Sequence, residues 1–432
     1  MTERKKIPVI IDTDPGVDDT VAILLALASP EIEILAYVVT YGNTDVPSSY
    51  ANIFKIYQAV SKHIEEHPEA RARFPNFQQA RKPLLIKGPT GPLEGDLHSA
   101  HYFHGRDGLG GVTERHPDLN VPASIIDAAS HPQLQPVDRP AHEVALELLR
   151  EFPARAITYI PLGPLTNLAL MLRADAQCVR ERIGRVVAMG GALDVPGNTS
   201  PVAEFNFFAD PYAVAEVLTP APDGPHAGIP LSRTLLLPLD ITTQHELPFA
   251  LYAARVDRAF APAAPSTAHG KPPLAHFTSA FFQRTREIMR GFGKDAMELH
   301  DVAAVWCAAQ NPPVGGAADA ALGLAGGWEV SLRKFQMERI GQLTRGMCVV
   351  DRRDDKGAYA PGANRAAVQA ALERQQIAHG PFESTALPAQ VEVEDSSQAE
   401  LQKGGGVPCV VRTPGSDKLV ELMFQRIWGV EM

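Results

Sequence analysis

Short runs of apolar, β-branched residues alternate along the chain with longer stretches whose apolar positions recur at helical spacing. The runs Ile7–Ile11, Ile34–Thr40, Leu84–Lys87, Ala156–Ile160, Arg185–Met189, Leu235–Leu239 and Met347–Val350 predict buried strands. Between them, Asp18–Ala28, Ser48–Ser61, Ala141–Glu151, Leu165–Leu172, Pro211–Leu218, Leu274–Arg290 and His300–Ala309 predict helices. Strand–helix alternation of this kind predicts an α/β fold: an open, mainly parallel, Rossmann-like sheet flanked by helices on both faces. Ligands then bind beyond the carboxyl ends of the strands.

Four stretches break the pattern. His63–Lys82 is charged and Gln-rich, Pro117–Pro140 is rich in Pro, Ala and Ser, Ala261–Pro273 is Pro/Ala-rich, and Gly380–Gly406 is polar, acidic and then Gly-rich. Such composition favours surface loops or disorder over core. They are read as insertions and a polar C-terminal tract in a single domain spanning residues 1–432, since α/β folds run well past the usual domain length of about 150 residues.

Composition narrows the partners. With 45% hydrophobic and 21% charged residues and a net charge of −10, the chain has the make-up of a globular protein without the basic excess that nucleic acid or an anionic membrane requires. A small polar ligand is expected instead. The apolar segment after the basic start MTERKK is too short for a signal-peptide core, and Val21–Ala28 is too short to span a membrane, which points to a cytoplasmic location. Cys178, Cys307, Cys348 and Cys409 have no metal-type spacing and are expected to be reduced thiols.

The stretch IIDTDPGVDDT places Asp12, Asp14, Asp18 and Asp19 within eight residues, after a strand and at the start of a helix. Carboxylates this crowded repel one another unless protons, donors or a cation compensate. Capping of the helix N-terminus accounts for one or two of them. A hard cation such as calcium or magnesium suits the whole set. An EF-hand is excluded by spacing: counting from Asp12, Gly16 falls fifth and Ile23 twelfth, where that loop needs Gly sixth and Glu twelfth. No phosphate-loop pattern occurs, and the glycines of HGRDGLGG do not follow a strand in the dinucleotide-binding arrangement. A phosphoaspartyl enzyme using Asp12 stays open at this point.

Other polar groups fall after strands and gather at the same sheet edge. Asn43 lies in YGN, Leu162 in PLGPLTN, Asn198 in MGGALDVPGN, and Glu204 and Asn206 in AEFNFFADP, while His300 and Asp301 open a helix. Singly, the Asn residues also read as turn caps and His300–Asp301 as a simple helix start. Together with DTDPGVDD, HGRDGLGG and PLDIT, in this order over residues 7–350, they make the chain resemble the inosine–uridine-preferring nucleoside hydrolases.

The resemblance implies calcium-dependent hydrolysis of the N-glycosidic bond of ribonucleosides, with an ion at the strand ends and a homo-oligomer, dimer or tetramer, as the assembly. It implies that Asp14, Asp19, Asp301 and the Leu162 carbonyl hold the ion, and that Asp18, Asn43, Asn198, Glu204 and Asn206 bind the ribose. His300 would stand near the leaving base, and Asp12 would support the ligands from behind. The residue types suit the chemistry: an oxocarbenium-like state needs negative potential, an activated water and a proton for the leaving group. Asp14 is the candidate base and His300 the candidate acid, the alternative being that His300 orients Asp301. His98, His101 and His104 recur at every third residue and are expected in a loop, with His104 able to approach the substrate. Phe277, Phe281, Phe282 and Phe292 are candidates for stacking on a base, although at helical spacing residues such as Phe277 and Phe281 are more often core. A non-catalytic ribose- or nucleoside-binding protein on the same fold is the alternative function.

Overall fold

A computed structural model of the protein describes residues 6–220, 228–260, 265–314, 322–352 and 406–432. Its centre is a nine-stranded sheet formed by β1 (Ile7–Thr13), β2 (Ile32–Val39), β3 (Leu84–Lys87), β4 (Gln135–Val137), β5 (Thr158–Pro161), β6 (Arg185–Met189), β7 (Thr234–Leu237), β10 (Glu329–Arg333) and β13 (Val407–Arg412). The strand order is β10-β13-β7-β6-β5-β1-β2-β3-β4. All neighbours pair in parallel except β10, which runs antiparallel to β13 at one edge. Two small antiparallel ribbons stand apart from it: β8 (Glu246–Pro248) with β9 (Ala296–Glu298), and β11 (Gln336–Met337) with β12 (Cys348–Val349).

β1 is buried along its whole length, so its two faces feed two cores. Val9 and Ile11 join helices α1 (Val17–Leu27) and α2 (Val46–Glu66), the helix Pro273–Gly291 and the helix His300–Gln310 on one side. Ile10 joins the helices Ala141–Glu151, Thr166–Arg182 and Pro211–Leu218 on the other. This is the expected α/β arrangement, in which a parallel sheet covered on both faces reads as continuous apolar strands. Chain order reverses around β1, which has β2 on one side and β5 on the other. The topological switch point, where such sheets bind ligands, therefore lies at the carboxyl ends of β1, β2 and β5.

Several expectations change. Met347–Val350 is not a buried strand of the main sheet: Cys348 and Val349 form an edge ribbon, with Val349 43% exposed. β4, β10 and β13 join the sheet although they were not among the expected strands; β4 and β10 are short strands at its two edges, and β13 follows a long polar tract. The stretch 63–82 is not purely surface loop. Phe74 and Phe77 are core residues, and Asn76 donates to the carbonyls of Ala26 (2.9 Å) and Ser29 (2.6 Å), satisfying the open end of α1. Residues 117–140 likewise contain β4 and two short helical turns, Pro117–Leu119 and Ala123–Ile126. Residues 261–264 and 380–405 of the other two stretches lie outside the described residues. All four cysteines are free and buried. Among the described residues, no helix is long and apolar enough to cross a membrane.

Candidate functional site

The register of the sheet explains why the motifs converge. Asp12 lies level with Val38 of β2 and Pro161 of β5, so the residues that follow each strand leave the sheet at one edge. There a cavity of about 330 Å³ opens. Asp18, Asn43, Leu162, Asn206 and Asp301 line its polar end, with His104, Asn198, Glu204 and His300 also on its wall. Phe103, Phe205, Met289, Phe292 and Met297 supply an apolar side. The structure thus brings together in one cavity nine of the twelve site residues expected from sequence; Asp12, Asp14 and Asp19 are fully buried and do not line it.

The four clustered aspartates have different surroundings. Asp12 accepts from the Tyr159 hydroxyl (2.8 Å) and Asn167 Nδ2 (2.9 Å), joining β1 to β5 and the following helix. Burial pushes its carboxyl up to about 7 despite these donors. Asp19 is well supplied with donors: Oδ1 accepts from Thr13 Oγ1 (2.6 Å) and the Asp14 N–H (3.2 Å), while Oδ2 accepts from the Gly16 N–H (3.1 Å) and Asn43 Nδ2 (2.8 Å). It closes the turn ahead of α1 as well as facing the cluster. Asp14 accepts the Asn43 N–H on Oδ2 (2.7 Å), but its Oδ1 is buried without a partner. Asp18 takes hydrogen bonds only from backbone, its own N–H and that of Asp19, and opens onto the cavity.

Charge crowding is correspondingly severe. Carboxylate oxygens of Asp18, Asp19 and Asp301 lie within 4.8 Å of one another. Burial, reinforced by Asp19, pushes Asp18 up to about 7. Burial and the neighbouring aspartates hold Asp14 and Asp301 well above the usual carboxylate range, and Asp301 also shares a hydrogen bond with Asp19. An all-oxygen set with one orphaned buried acceptor fits a hard divalent cation, which would replace the protons these groups otherwise need. The chain leaves no room to relieve the crowding differently. A Cβ on Gly163 would stand 2.4 Å from Asp14 Oδ1, and one on Gly42 would stand 2.0 Å from Asp14 Oδ2.

The other expected residues are held by local backbone. Glu204 caps the short helix Phe205–Ala209, accepting the N–H groups of Asn206 (2.7 Å) and Phe207 (3.1 Å), and also takes the Gly191 N–H (2.8 Å). Burial still raises its carboxyl. Asn198 Oδ1 accepts the Phe205 N–H (3.0 Å). Asn206 Nδ2 donates to the Leu162 carbonyl (2.6 Å), so that carbonyl has one of its two lone pairs engaged and one left for another partner. His104 sits not in a loop but in the helical turn His101–His104, where its Nδ1 accepts the Val17 N–H (3.1 Å) and so caps α1. Burial pushes it down to about 4, which makes it a neutral ring at the cavity wall. Phe292, 65% exposed, faces the cavity; Phe277, Phe281 and Phe282 are fully buried core residues and cannot stack on a ligand.

His300 has partners that sequence reasoning missed. Its Nε2 lies 3.2 Å from Glu298 Oε2, and its Nδ1 lies 2.8 Å from Thr242 Oγ1. Burial alone would lower its pKa, but the Glu298 hydrogen bond and the charges of Asp18 and Glu204 outweigh burial and raise it. Glu298, itself drawn down to about 2 by His300 and Lys294 against the effect of burial, lines the same cavity. The signal was available: Glu298 sits two residues before His300 in MELHD, and Thr242 ends PLDIT. What hid it was topology, since β9 must turn into the His300–Gln310 helix before the two side chains meet.

A doubly wound α/β chain with an acidic, cation-compatible pocket at the switch point of its sheet is the class these features define. Residues 9–378 match the inosine-uridine preferring nucleoside hydrolase family, and the chain belongs to it. It is 32% identical over 238 residues to the probable uridine nucleosidase 2 of Arabidopsis thaliana, a match covering 55% of this chain and 63% of the relative. It is 33% identical over 240 residues to the pyrimidine-specific ribonucleoside hydrolase RihA of Shewanella sp. (strain ANA-3), covering 56% and 61%. The chain spans about three fifths of the length of the curated relatives it matches. Among solved structures, an inosine-guanosine nucleoside hydrolase shares the fold with a TM-score of 0.64 at 22% identity, over 99% of this chain and 100% of that one. A purine-preferring ribonucleoside hydrolase from Gardnerella vaginalis does so with a TM-score of 0.62 at 20% identity, over 98% of each chain.

Proposed function

We propose that the protein hydrolyses the N-glycosidic bond of ribonucleosides to ribose and free base with the help of a calcium ion. The observation that carries this reading is a single cavity at the switch point, lined both by carboxylates and amides and by Phe103, Phe205, Met289, Phe292 and Met297, in a volume of about 330 Å³ suited to a ligand of nucleoside size. Family membership and the nucleosidase relatives support the same reading.

Asp14, Asp19, Asp301 and the Leu162 carbonyl are the groups that would hold the ion, with the Asp18 carboxylate adding its charge beside them; when bound, the ion lowers the pKa of a water and anchors the sugar diol. Asp14 is the proposed base, because its Oδ1 is a buried acceptor without a partner. Asn43, Asn198 and Asn206 offer amides to the ribose hydroxyls, and Asp18 and Glu204 supply negative potential where the ring becomes cationic. His300 is the proposed acid for the departing base. Its 3.2 Å contact with Glu298 is at the long end for a hydrogen bond and can be exchanged for a base atom. Asp12 keeps β1 and β5 in register from below.

The test is ribose release from uridine, cytidine, inosine and adenosine in phosphate-free buffer, before and after metal removal and calcium restoration. Release that needs calcium and not phosphate is the expected result. Saturable nucleoside binding without any release, by folded and calcium-loaded protein, would overturn the reading in favour of a binding protein.

A further inference from the structure

A second group of metal-type side chains lies away from the acidic cluster and shares no residue with it. His116 ends the short helical turn that follows the Gly-rich HGRDGLGG stretch, Asp118 lies in the turn Pro117–Leu119, and His276 is in the first turns of the helix Pro273–Gly291. One ligand atom from each of the three lies within 4.8 Å of the others. Both histidines are 97% buried, at 3% exposure each, while the Asp118 side chain is 53% exposed. We propose that His116, Asp118 and His276 form a site for a divalent transition-metal ion of the zinc type.

An ordinary ion pair explains only part of the arrangement. His276 Nε2 meets Asp118 Oδ2 at 2.9 Å, and Ser266 Oγ lies 2.9 Å from His276 Nδ1 on the other side of the ring. His116 is packed edge-on to His276, with ring centroids 5.6 Å apart, yet its Nε2 is buried without a hydrogen-bond partner. A buried imidazole with an unused nitrogen, beside a second imidazole and a carboxylate, is a ligand set lacking its centre.

The chemistry is selective. Two imidazoles and one carboxylate suit zinc and its neighbours, whereas the all-oxygen acidic cluster suits calcium or magnesium. Lys271 Nζ is engaged by Asp257 Oδ2 (2.6 Å) and Ser266 Oγ (3.1 Å). Ser266 fixes the ring orientation of His276 as outer partners of ligating histidines do. Zinc–ligand bonds of about 2 Å place ligand atoms roughly 3–4 Å apart, a separation compatible with the 4.8 Å within which the three ligand atoms already lie.

A metal here ties two walls of the cavity together. Arg115, next to His116, already donates from Nη2 to the Ala280 carbonyl (2.9 Å). The segment before it carries His104, and the far end of the Pro273–Gly291 helix carries Met289 beside Phe292.

The experiment titrates zinc chloride into the full-length, metal-stripped protein that has first been saturated with calcium, by calorimetry and by thermal melting. Cobalt(II) absorption reports the coordination geometry. One equivalent of zinc per chain is expected, with a rise in melting temperature. Asp118→Ala, a change at an exposed position, should weaken zinc by roughly 100-fold or more, beyond the 10–100-fold of outer-partner changes, and abolish the melting shift. His116→Gln should do the same. No zinc uptake by the calcium-loaded protein, or uptake unchanged in either variant, would overturn the site.

Discussion

Replacing Asp18 by Asn should make the metal-free protein more stable and the calcium-loaded protein less so. Two further carboxylates have oxygens within 4.8 Å of an Asp18 oxygen, and at an effective dielectric constant near 20 each such pair repels by about 3 kcal/mol when both are ionised. The folded chain responds by raising the Asp18 carboxyl from 3.8 to about 7. A raised folded value means that the native state binds the proton more tightly than the unfolded chain does. The stabilisation from that proton is complete below the unfolded value of 3.8 and is lost as pH rises through about 7. Near pH 8 the full loss is about 4 kcal/mol, and allowing for the partial exposure of the side chain leaves roughly 2–4 kcal/mol.

The amide of Asp18→Asn imitates the protonated acid at every pH and removes this penalty. Urea unfolding in chelator near pH 8 should therefore find the variant more stable by roughly 2–4 kcal/mol, and near pH 4 by less than about 1 kcal/mol. Calcium should reverse the order. A cation at about 1,000 times its dissociation constant stabilises the wild type by roughly 4 kcal/mol, most of which the variant forgoes with that charge missing. A metal-free variant no more stable than wild type near pH 8 would refute the claim that repulsion dominates the cluster.

Gly163→Ala places a Cβ 2.4 Å from Asp14 Oδ1, so the carboxylate must move; ribose release should fall by roughly 100-fold with little change in melting temperature, and unaltered release would remove Asp14 from the machinery. Glu298→Gln withdraws the partner that raises His300, so the alkaline limb of the kcat profile should move to lower pH. An unshifted limb would mean that His300 is not the acid. His63 accepts from Arg73 Nη2 at 2.7 Å, and burial together with that guanidinium lowers it to about 4. Between 6.5 and about 4 the unfolded chain takes a proton that the native state refuses, so stability should fall by on the order of 1–3 kcal/mol as pH drops through that window and level off below it. His63→Gln should flatten this dependence in urea unfolding, and an equal slope in both proteins would exclude His63 as its source.

What the sequence disclosed, and what it hid, divides along range. Pro211–Leu218 and Arg185–Met189 were legible to the residue because their own apolar pattern determines them. The convergence of Asn43, Leu162, Glu204 and Asp301 was legible too, since each follows a strand or opens a helix at the same end of a parallel sheet. β13 was hidden because it reaches the sheet only after a long polar tract, pairing with β7 at Cys409 and Leu236. His104 was misplaced because its position depends on a bond to the Val17 N–H, 87 residues away. The Thr242–His300 contact was missed for the same reason, spanning 58 residues, whereas Glu298, two residues from His300, was within reach of the sequence and went unread.

The four aspartates of the opening motif show how a single stretch can serve both fold and site. Asp12 and Asp19 have their oxygens met by the chain, from Tyr159 and Asn167 in one case and from Thr13, Asn43 and two backbone N–H groups in the other. Asp14 is half satisfied, and Asp18 opens onto the cavity. Asp14 and Asp18 thus have fewer donors than Asp19, while each carries the same potential charge. Negative potential therefore accumulates where a cation and a ribose ring developing positive charge would lie, and the bonds to Asp12 and Asp19 hold β1 and α1 in place against that repulsion. Asn43 shows the division within one residue: its N–H steadies Asp14, its side chain steadies Asp19, and it still lines the cavity.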